Sequence, residues 1–529
     1  MNFRHVEART GAYADSVTLM QISARVQELP GVRAALVAMA TDLNLGLLPG
    51  LGLPPPAGTG SNDLLVAISA DDSGSLASAL AMVDDSLAGR PASEPGALTW
   101  QQPRTTASAA RQAGPGLVLI SVPGQHAFAE AIDALYSGCD VMIFSDNVSV
   151  EQEIALKDLA AERDLLVMGP DCGTAIVAGI GLGFSHSVPS GPIGIVAASG
   201  TGAQQLICLL DAAGAGVSAV LGVGGRDLCA AVGGRSARAA LAALDADPAT
   251  ELIVALSKPP ADEVAAGLRA YASTLATPVQ FALIGPGQPD LTAAAQAALE
   301  ASGRAAPDWP RWHPGRDDAA GARAVTGRTG RAGAAEHAAH QAGAGGLRGL
   351  FAGGTLCDEA MVIASERLGP VYSNVPLRPD WQLADPPQPA ARHVMTDFGD
   401  DELTAGRPHP MIDQRLRLAA LAAQAADPGT AVIMLDVVLG YGAHPDPAAE
   451  LGPAIAAARS GLPGRDLPVV VSLIGARSDP QGLAAQARAL AAAGAHVFSS
   501  NAQATRFACD LIEPWSDHAG PSRVAGGRP

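Results

Sequence analysis

Leu241–Leu256 reads LAALDADPATELIVAL and Leu421–Asp436 reads LAAQAADPGTAVIMLD, and this pair of stretches decides the fold. At an offset of 421 − 241 = 180 they share 8 of 16 positions. The echo extends to both sides. Upstream, GIVAASGTGAQQL from Gly194 is answered by GLFAGGTLCDEAM from Gly349; downstream, TPVQFALIG ending at Gly285 is answered by LPVVVSLIG ending at Gly475. A unit of strand, glycine loop, helix and strand thus occurs twice, and two related loops are predicted to face one substrate.

Working outward, apolar strands alternate with helical segments from Leu117 to about Val188: LVLISV (117–122), VMIFS (141–145) and LLVMG (165–169). Continuous apolar strands separated by helices predict a parallel sheet covered on both faces, with ligand loops at the strand C-termini. Further upstream, strands at 3–7, 32–39 and 64–69 and helices at 15–29 and 75–87 predict a small ferredoxin-like or ACT-like α+β domain over 1–92. The domains expected are 1–92, a Rossmann-type layer at 93–190, and repeat units at 191–302 and 346–515. Between the units, 303–345 lacks any stripe of large apolar residues and reads as a linker, and 516–529 reads as a tail.

The chain has 529 residues, 48% of them hydrophobic, with mean hydropathy +0.20, which is enough for several domains of the usual size. A net charge of −18 argues against nucleic acid, whose binding rests on Lys and Arg contacts to phosphate. The apolar runs fall far short of a bilayer span, so no membrane partner is expected. MNFRHVEART lacks the apolar stretch of a signal peptide, and six scattered Cys without a CxxC pair fit reduced thiols in a cytoplasm. No metal-ligand spacing of Cys or His is present, so no metal site is expected.

Two paired glycine loops, two further loops and a set of strand-end loops carry candidate chemistry. Ser199-Gly200-Thr201-Gly202 joins a buried strand to a helix, where glycines admit close backbone approach and the helix N-terminus offers N–H groups to an anion. An ordinary N-capped turn reads the same way, but the second copy, Gly353-Gly354-Thr355, favours a phosphate or carboxylate cradle. GVGGRDLCAAVGG (222–234) presents Gly224, Gly225 and Arg226, and the Arg can fork onto a carboxylate or phosphoryl group, or pair with Asp227 at the surface. TDFGDDELTAGRPHPMID (396–413) brings Asp397, Asp400, Asp401 and Glu402 near Arg407 and His409, a set able to hold Mg²⁺ or orient a base, or simply a solvated loop. The strand-end loops Pro123, Asp146-Asn147 and Pro170-Asp171-Cys172 form the expected crevice, with Cys172 more readily packing than nucleophile.

The stretches LVLISVPGQHAFAEAIDALYSGCDVMIF, VMGPDCGTAIV, GPIGIVAASGTGAQQ and VLGVGGRDL resemble the α subunit of succinyl-CoA synthetase. With YADSVTLMQIS, SDNVSVEQEIALK, SKPP, FAGGTL and DFGDDELTAGRPHPMID, the whole chain resembles the FdrA family of acyl-CoA-synthetase-like proteins. The resemblance implies an α/β, succinyl-CoA synthetase-like fold: a Rossmann-type domain with a CoA-like crevice, two flavodoxin-like ligase domains and the small N-terminal domain. It also implies oxamate carbamoyltransfer from carbamoyl phosphate in purine-ureide breakdown, with separate partner subunits. Succinyl-CoA synthetases carry a phosphohistidine in a GHAG motif after the strand matching TPVQFALIG, where this chain has Pro286-Gly287-Gln288-Pro289. Direct transfer from a small acyl phosphate is therefore expected, with Arg407, His409 and Arg226 as catalytic residues. Acyl-CoA synthesis and a metabolite-sensing scaffold stay open as alternatives; no cofactor is required by any motif, with CoA and Mg²⁺ left open.

Overall fold

The computed structural model describes residues 3–12, 14, 16–56, 58–60, 63–88, 103–315, 345–384, 392–404, 407–460 and 467–512. The N-terminal domain contains β1 (Phe3–Arg9), α1 (Ser16–Gln27), β2 (Val32–Met39), α2 (Asp42–Leu47), β3 (Leu64–Ala70) and α3 (Ser73–Ala88). Its antiparallel sheet has the order β1-β3-β2, and the central β3, LLVAISA, is buried at every position. The free edge of β2 is covered from α1: Val37 N–H donates to Ser23 Oγ (2.8 Å) and Ala35 N–H to Gln27 Oε1 (3.4 Å). Residues one helical turn apart thus bond alternate groups of an edge strand, which blunts its tendency to pair with other chains.

The next layer follows α4 (Thr106–Ala113) and contains β4 (Leu117–Ile120), α5 (Gly124–Tyr136), β5 (Asp140–Ile143), α6 (Val150–Glu162) and β6 (Val167–Met168). Its three strands are parallel in the order β4-β5-β6, one βαβαβ half of a dinucleotide-type sheet.

The first repeat unit comprises β9 (Ser190–Ala198), α7 (Gly200–Ala212), β10 (Val217–Gly222), α8 (Arg235–Ala246), β11 (Leu252–Ser257), α9 (Asp262–Ala272), β12 (Val279–Leu283) and α10 (Leu291–Ala301). The hairpin β7 (Thr174–Val177) and β8 (Ile180–Gly183) extends it, giving the order β12-β11-β9-β10-β7-β8. The hairpin falls inside 93–190, the stretch expected to be Rossmann-type, yet its strands belong to the ligase sheet. Its turn is Ala178-Gly179, both at positive φ (51° and 76°), the conformation a two-residue hairpin needs.

The second unit comprises β14 (Gly346–Phe351), α11 (Gly354–Leu368), β15 (Val371–Tyr372), β16 (His393–Asp397), α12 (Asp401–Thr404), α13 (Arg415–Ala426), β17 (Thr430–Val438), α14 (Pro447–Ser460), β18 (Val469–Ile474), α15 (Leu483–Ala492), β19 (His496–Phe498) and α16 (Asn501–Ile512). The parallel order β10-β9-β11-β12 is repeated as β16-β14-β17-β18-β19, the flavodoxin-like winding in both cases. One apolar core spans the two units, joining Ile195, Leu206 and Leu210 to Phe351, Met361 and Phe498. Polar ties cross the same seam: Gln205 Nε2 donates to Ser499 O (3.0 Å) and Asn501 N–H donates to Gln205 Oε1 (2.9 Å).

The segment 303–345, expected as a linker, begins as packed structure. Trp309 is buried in the shared core, and β13 (Arg311–Trp312) pairs antiparallel with β19 at the edge of the second sheet. A two-residue edge strand anchored by one Trp leaves no periodic stripe, so pattern reading passes over it. The remainder, 316–344, lies outside the described residues, as does the expected tail 516–529. Trp309→Ala should lower unfolding stability by about 3–5 kcal/mol, the usual cost of emptying an aromatic site in a core. Urea denaturation checks this, and a loss under about 1 kcal/mol would return the segment to linker status.

Candidate functional site

The carboxyl ends of β9, β11, β14 and β16 open on one cleft of about 1320 Å³, reached also by the strand-end loops of the Rossmann-type layer and by Met20, Met39 and Thr41 of the N-terminal domain. At its floor the N-termini of α7 and α11 meet. Ser199 is the N-cap of α7, extended at φ −163° and accepting the Gly202 N–H at 3.0 Å, and Gly353 holds the matching position before α11. The two first turns interlock. Ser199 Oγ and Thr355 Oγ1 share a hydrogen bond of 2.7 Å, and a Cβ on Gly353 would lie 2.9 Å from Thr201 Cγ2. Thr201 and Thr355 thus sit each against the cap of the other helix, as a local twofold arrangement of the repeat requires.

The two loops are capped differently beneath. In the second unit Asp436, at the end of β17, accepts the N–H groups of Ala352 (2.7 Å) and Gly353 (2.8 Å). Its counterpart at the repeat offset is Leu256, whose methyl packs under Gly202. Asp436 is wholly buried and faces the equally buried Arg417 of α13, Nη1 to Oδ1 at 3.3 Å. Burial pushes the Asp436 carboxyl up, and Arg417 and the two amides pull it back.

Above this pair lie the groups that reach the cleft. Asp397, last residue of β16, accepts the Gly399 N–H on Oδ1 (2.9 Å). Its Oδ2 stands 2.6 Å from where a Cβ on Gly354 would be, directly over the first residue of α11. Burial raises the Asp397 carboxyl to about 7, against the pull of Gly399 N–H and Lys258. Lys258, just past β11, pairs with Asp358 Oδ2 at 2.8 Å. His409 accepts the Met411 N–H on Nδ1 (3.2 Å), packs its ring 5.5 Å from Phe184, and is pushed down to about 4 by burial and then by Arg417. A neutral imidazole whose Nδ1 accepts carries its proton on Nε2, the atom that lies 3.0 Å from where a Cβ on the cleft-lining Gly399 would be.

The structure brings most of the sequence-predicted residues together. Pro123, Asp146, Asn147, Asp171, Cys172, Ser199, Gly200, Thr201, Gly224, Gly225, Gly354, Thr355, Arg407 and His409 all line the cleft. Four others do not. Gly202 and Gly353 are consumed in the helix contact, and Pro170 packs behind the wall, its carbonyl oxygen 2.4 Å from where a Cβ on the lining Gly224 would lie. Arg226 turns away to Glu153 Oε2 (3.0 Å) and donates to Val148 O (2.7 Å), while Asp227 is buried with Lys157 instead of pairing with Arg226. Cys172 has its thiol pushed up to about 12 by burial, which leaves it protonated and packing. Ser199 and Thr355 spend their hydroxyls on each other, whereas Thr201 Oγ1 and the Arg407 guanidinium have no partner among the described residues.

The crevice of the Rossmann-type layer is acidic. Asp171, left-handed at φ 57° and exposed on the cleft wall, has its carboxyl raised to about 6 by desolvation within the cleft and then by Asp401 and Asp146. The peptide 146–147 also closes over α5, since a Cβ on Gly124 would lie 2.1 Å from Asp146 O. The first residues of α5, Gly124 and Gln125, nevertheless line the open cleft. Sequence reasoning passed over Lys258 and Arg417: the first had a signal, a cation directly after an apolar strand in SKPP, and the second had none.

Two family models match the chain: one described as CoA-ligase over residues 350–511, and one described as AllF, heavy metal-associated domain, over residues 1–103. YahF of Escherichia coli K12, described as an uncharacterized protein, is 37% identical over 521 residues, covering 95% of this chain and 98% of that one. The chain belongs to the FdrA family. A stretch of 143 residues is 29% identical to the succinate–CoA ligase [ADP-forming] α subunit of Methanothermobacter thermautotrophicus, covering 26% of this chain and 47% of that relative. Among solved structures, the dinucleotide-forming acetyl-coenzyme A synthetase 1 of Ca. Korarchaeum cryptofilum, in complex with phosphate and ADP, is 16% identical with TM-score 0.27, covering 75% of this chain and 82% of that one. The FdrA-family chain is thus an acyl-CoA-synthetase-like protein with a small α+β domain at its front. That domain does not fit a soft metal, because residues 1–103 contain no cysteine, the first being Cys139. Among the described residues no helix is long and apolar enough to cross a membrane.

Arg417→Met should cost about 3–5 kcal/mol, because it strands a buried carboxylate under α11. Adding Asp436→Leu should recover much of that loss. Thermal unfolding of the single and double variants checks it, and an unchanged midpoint in Arg417→Met would mean that the pair bears no charge.

Proposed function

We propose that the cleft holds an acyl phosphate, with the phosphoryl end on the N-termini of α7 and α11, and transfers its acyl group to a second substrate. One observation carries this reading: two helix N-termini, joined through Ser199 and Thr355, open side by side onto the same cleft through Gly200, Thr201 and Gly354. Two dipole ends and the Thr201 hydroxyl favour the dianion that departs when the C–O bond breaks. The Nε2–H of His409 is a donor suited to the acyl oxygen, and Arg407 at the rim can neutralise added charge. Because Nδ1 of His409 already accepts a backbone N–H, this ring is not arranged as a phosphoryl carrier.

Two acceptors follow from different observations. The CoA-ligase match and the succinate–CoA ligase likeness support an acid–thiol ligase reaction with the CoA thiol. The acidic crevice at Asp146 and Asp171, which repels a polyphosphate, supports a small acceptor instead, and in that reading carbamoyl phosphate carbamoylates oxamate, with separate partner subunits completing the enzyme in a cytoplasm. In either case the substrates are small anions or end in one.

The test is phosphate release from acetyl phosphate and carbamoyl phosphate by the full chain, with CoA, oxamate or no acceptor. Release that depends on CoA selects the ligase and release that depends on oxamate selects the carbamoyltransferase. Gly200→Val should lower the rate about 10²- to 10³-fold, the size of losing a preorganised donor. Its Cβ meets nothing closer than Thr174 Oγ1 at 3.6 Å, so the branch obstructs ligand without straining the turn. Arg407→Ala should also be slow, and wild-type rates in both variants would sink the site.

A further inference from the structure

The N-terminus of α11 already has an anion over it. Asp397 is 6% exposed, its Oδ1 is held by the Gly399 N–H, and its Oδ2 has no partner among the described residues. That free oxygen hangs above Gly354, 2.6 Å from the Cβ position, where it borders the space in which a phosphate on this helix would rest. The nearest cation does not cancel it: Lys258 Nζ lies 3.5 Å from the same point but is paired with Asp358 at 2.8 Å. The other charged or titratable groups facing Asp397 are Cys357 and Asp358 on α11, Asp436 on β17, Arg417 on α13, and His409 across Gly399. A carboxylate and a phosphate dianion cannot share one helix end without strong repulsion.

We propose that Asp397 is a catalytic residue that binds the phosphoryl group as a carboxylic acid, donating from Oδ2 to a phosphate oxygen, and gives its proton to the departing phosphate. The proposal rests on the reading of α7 and α11 as the phosphate seat. The step balances. The acyl C–O bond breaks, its electron pair goes to the phosphate oxygen, and that oxygen takes the Asp397 proton; the acceptor forms the new bond to the acyl carbon and loses a proton that restores Asp397. A carboxyl raised to about 7 by burial among acidic neighbours is protonated often enough at neutral pH for this use.

Sulfate separates this proton from the ligand's own, because sulfate stays a dianion from pH 5 to 9 whereas phosphate titrates. Sulfate and phosphate binding to the full chain are measured by calorimetry at pH 6, 7 and 8, in two buffers of different ionisation enthalpy, for wild type and Asp397→Asn. Above about pH 7 the wild type should lose sulfate affinity roughly tenfold per pH unit and take up close to one proton per sulfate bound at pH 8. Asp397→Asn should bind sulfate with little pH dependence and no proton uptake, and should lose acyl transfer. Wild-type binding without proton uptake overturns the proposal, as does an unchanged pH profile in Asp397→Asn, which would assign the proton to Lys258 or His409. A requirement for Mg²⁺ in the wild type would also overturn it, by making Asp397 a metal ligand. If neither anion binds to wild type or variant at any pH, the phosphate seat itself falls, and the role of Asp397 falls with it.

Discussion

Everything near the cleft depends on two helix N-termini being held against each other. Such ends repel, since each carries a partial positive charge. Here the repulsion is met from below by the buried carboxylate of Asp436, which takes two backbone N–H groups ahead of α11, and from between by the Ser199–Thr355 hydrogen bond. Arg417 then makes the Asp436 charge tolerable in the interior. The resulting order is cation under anion under two positive dipole ends, and the proposed phosphate seat rests on it.

The same order accounts for the electrostatics of the cleft wall. His409 is kept neutral by burial and by Arg417, so it donates without adding charge, and Asp397 is raised by burial beside Asp358 and Asp436. The ordinary order of the two groups, 3.8 for the carboxyl and 6.5 for the imidazole, is thereby reversed, a pattern that fits a site handling protons. The acidic crevice at Asp146, Asp171 and Asp401 extends the contrast: the positive dipole ends of two helices lie beside a cluster of carboxyl groups.

The fold was legible because duplication writes the same physical problem twice. The Asp-Pro breaks, the glycine loops and the apolar strands of 241–256 and 421–436 report a helix, a turn and a buried parallel strand without any long-range information. The glycine loops were legible as paired helix starts for the same reason, and the structure brings them to one cleft. What sequence could not show were partnerships across the seam between units. Ser199 and Thr355 are 156 residues apart, and nothing local says that their hydroxyls would meet. Arg226 and Asp227 looked like neighbours that would pair, yet side chains on successive residues diverge, and each found a partner on α6. The Ala178-Gly179 hairpin and the Trp309 anchor were missed because each is too short to show a period.

The shared core of the two ligase units has a consequence for how the site responds to its surroundings. Each unit supplies one helix end, and both units lie on one polypeptide with a continuous apolar seam. The meeting of α7 with α11 is therefore an intramolecular event, whose equilibrium contains no concentration term. A site assembled from two separate subunits comes apart on dilution; this floor does not, and its integrity is set by the folding of one chain alone.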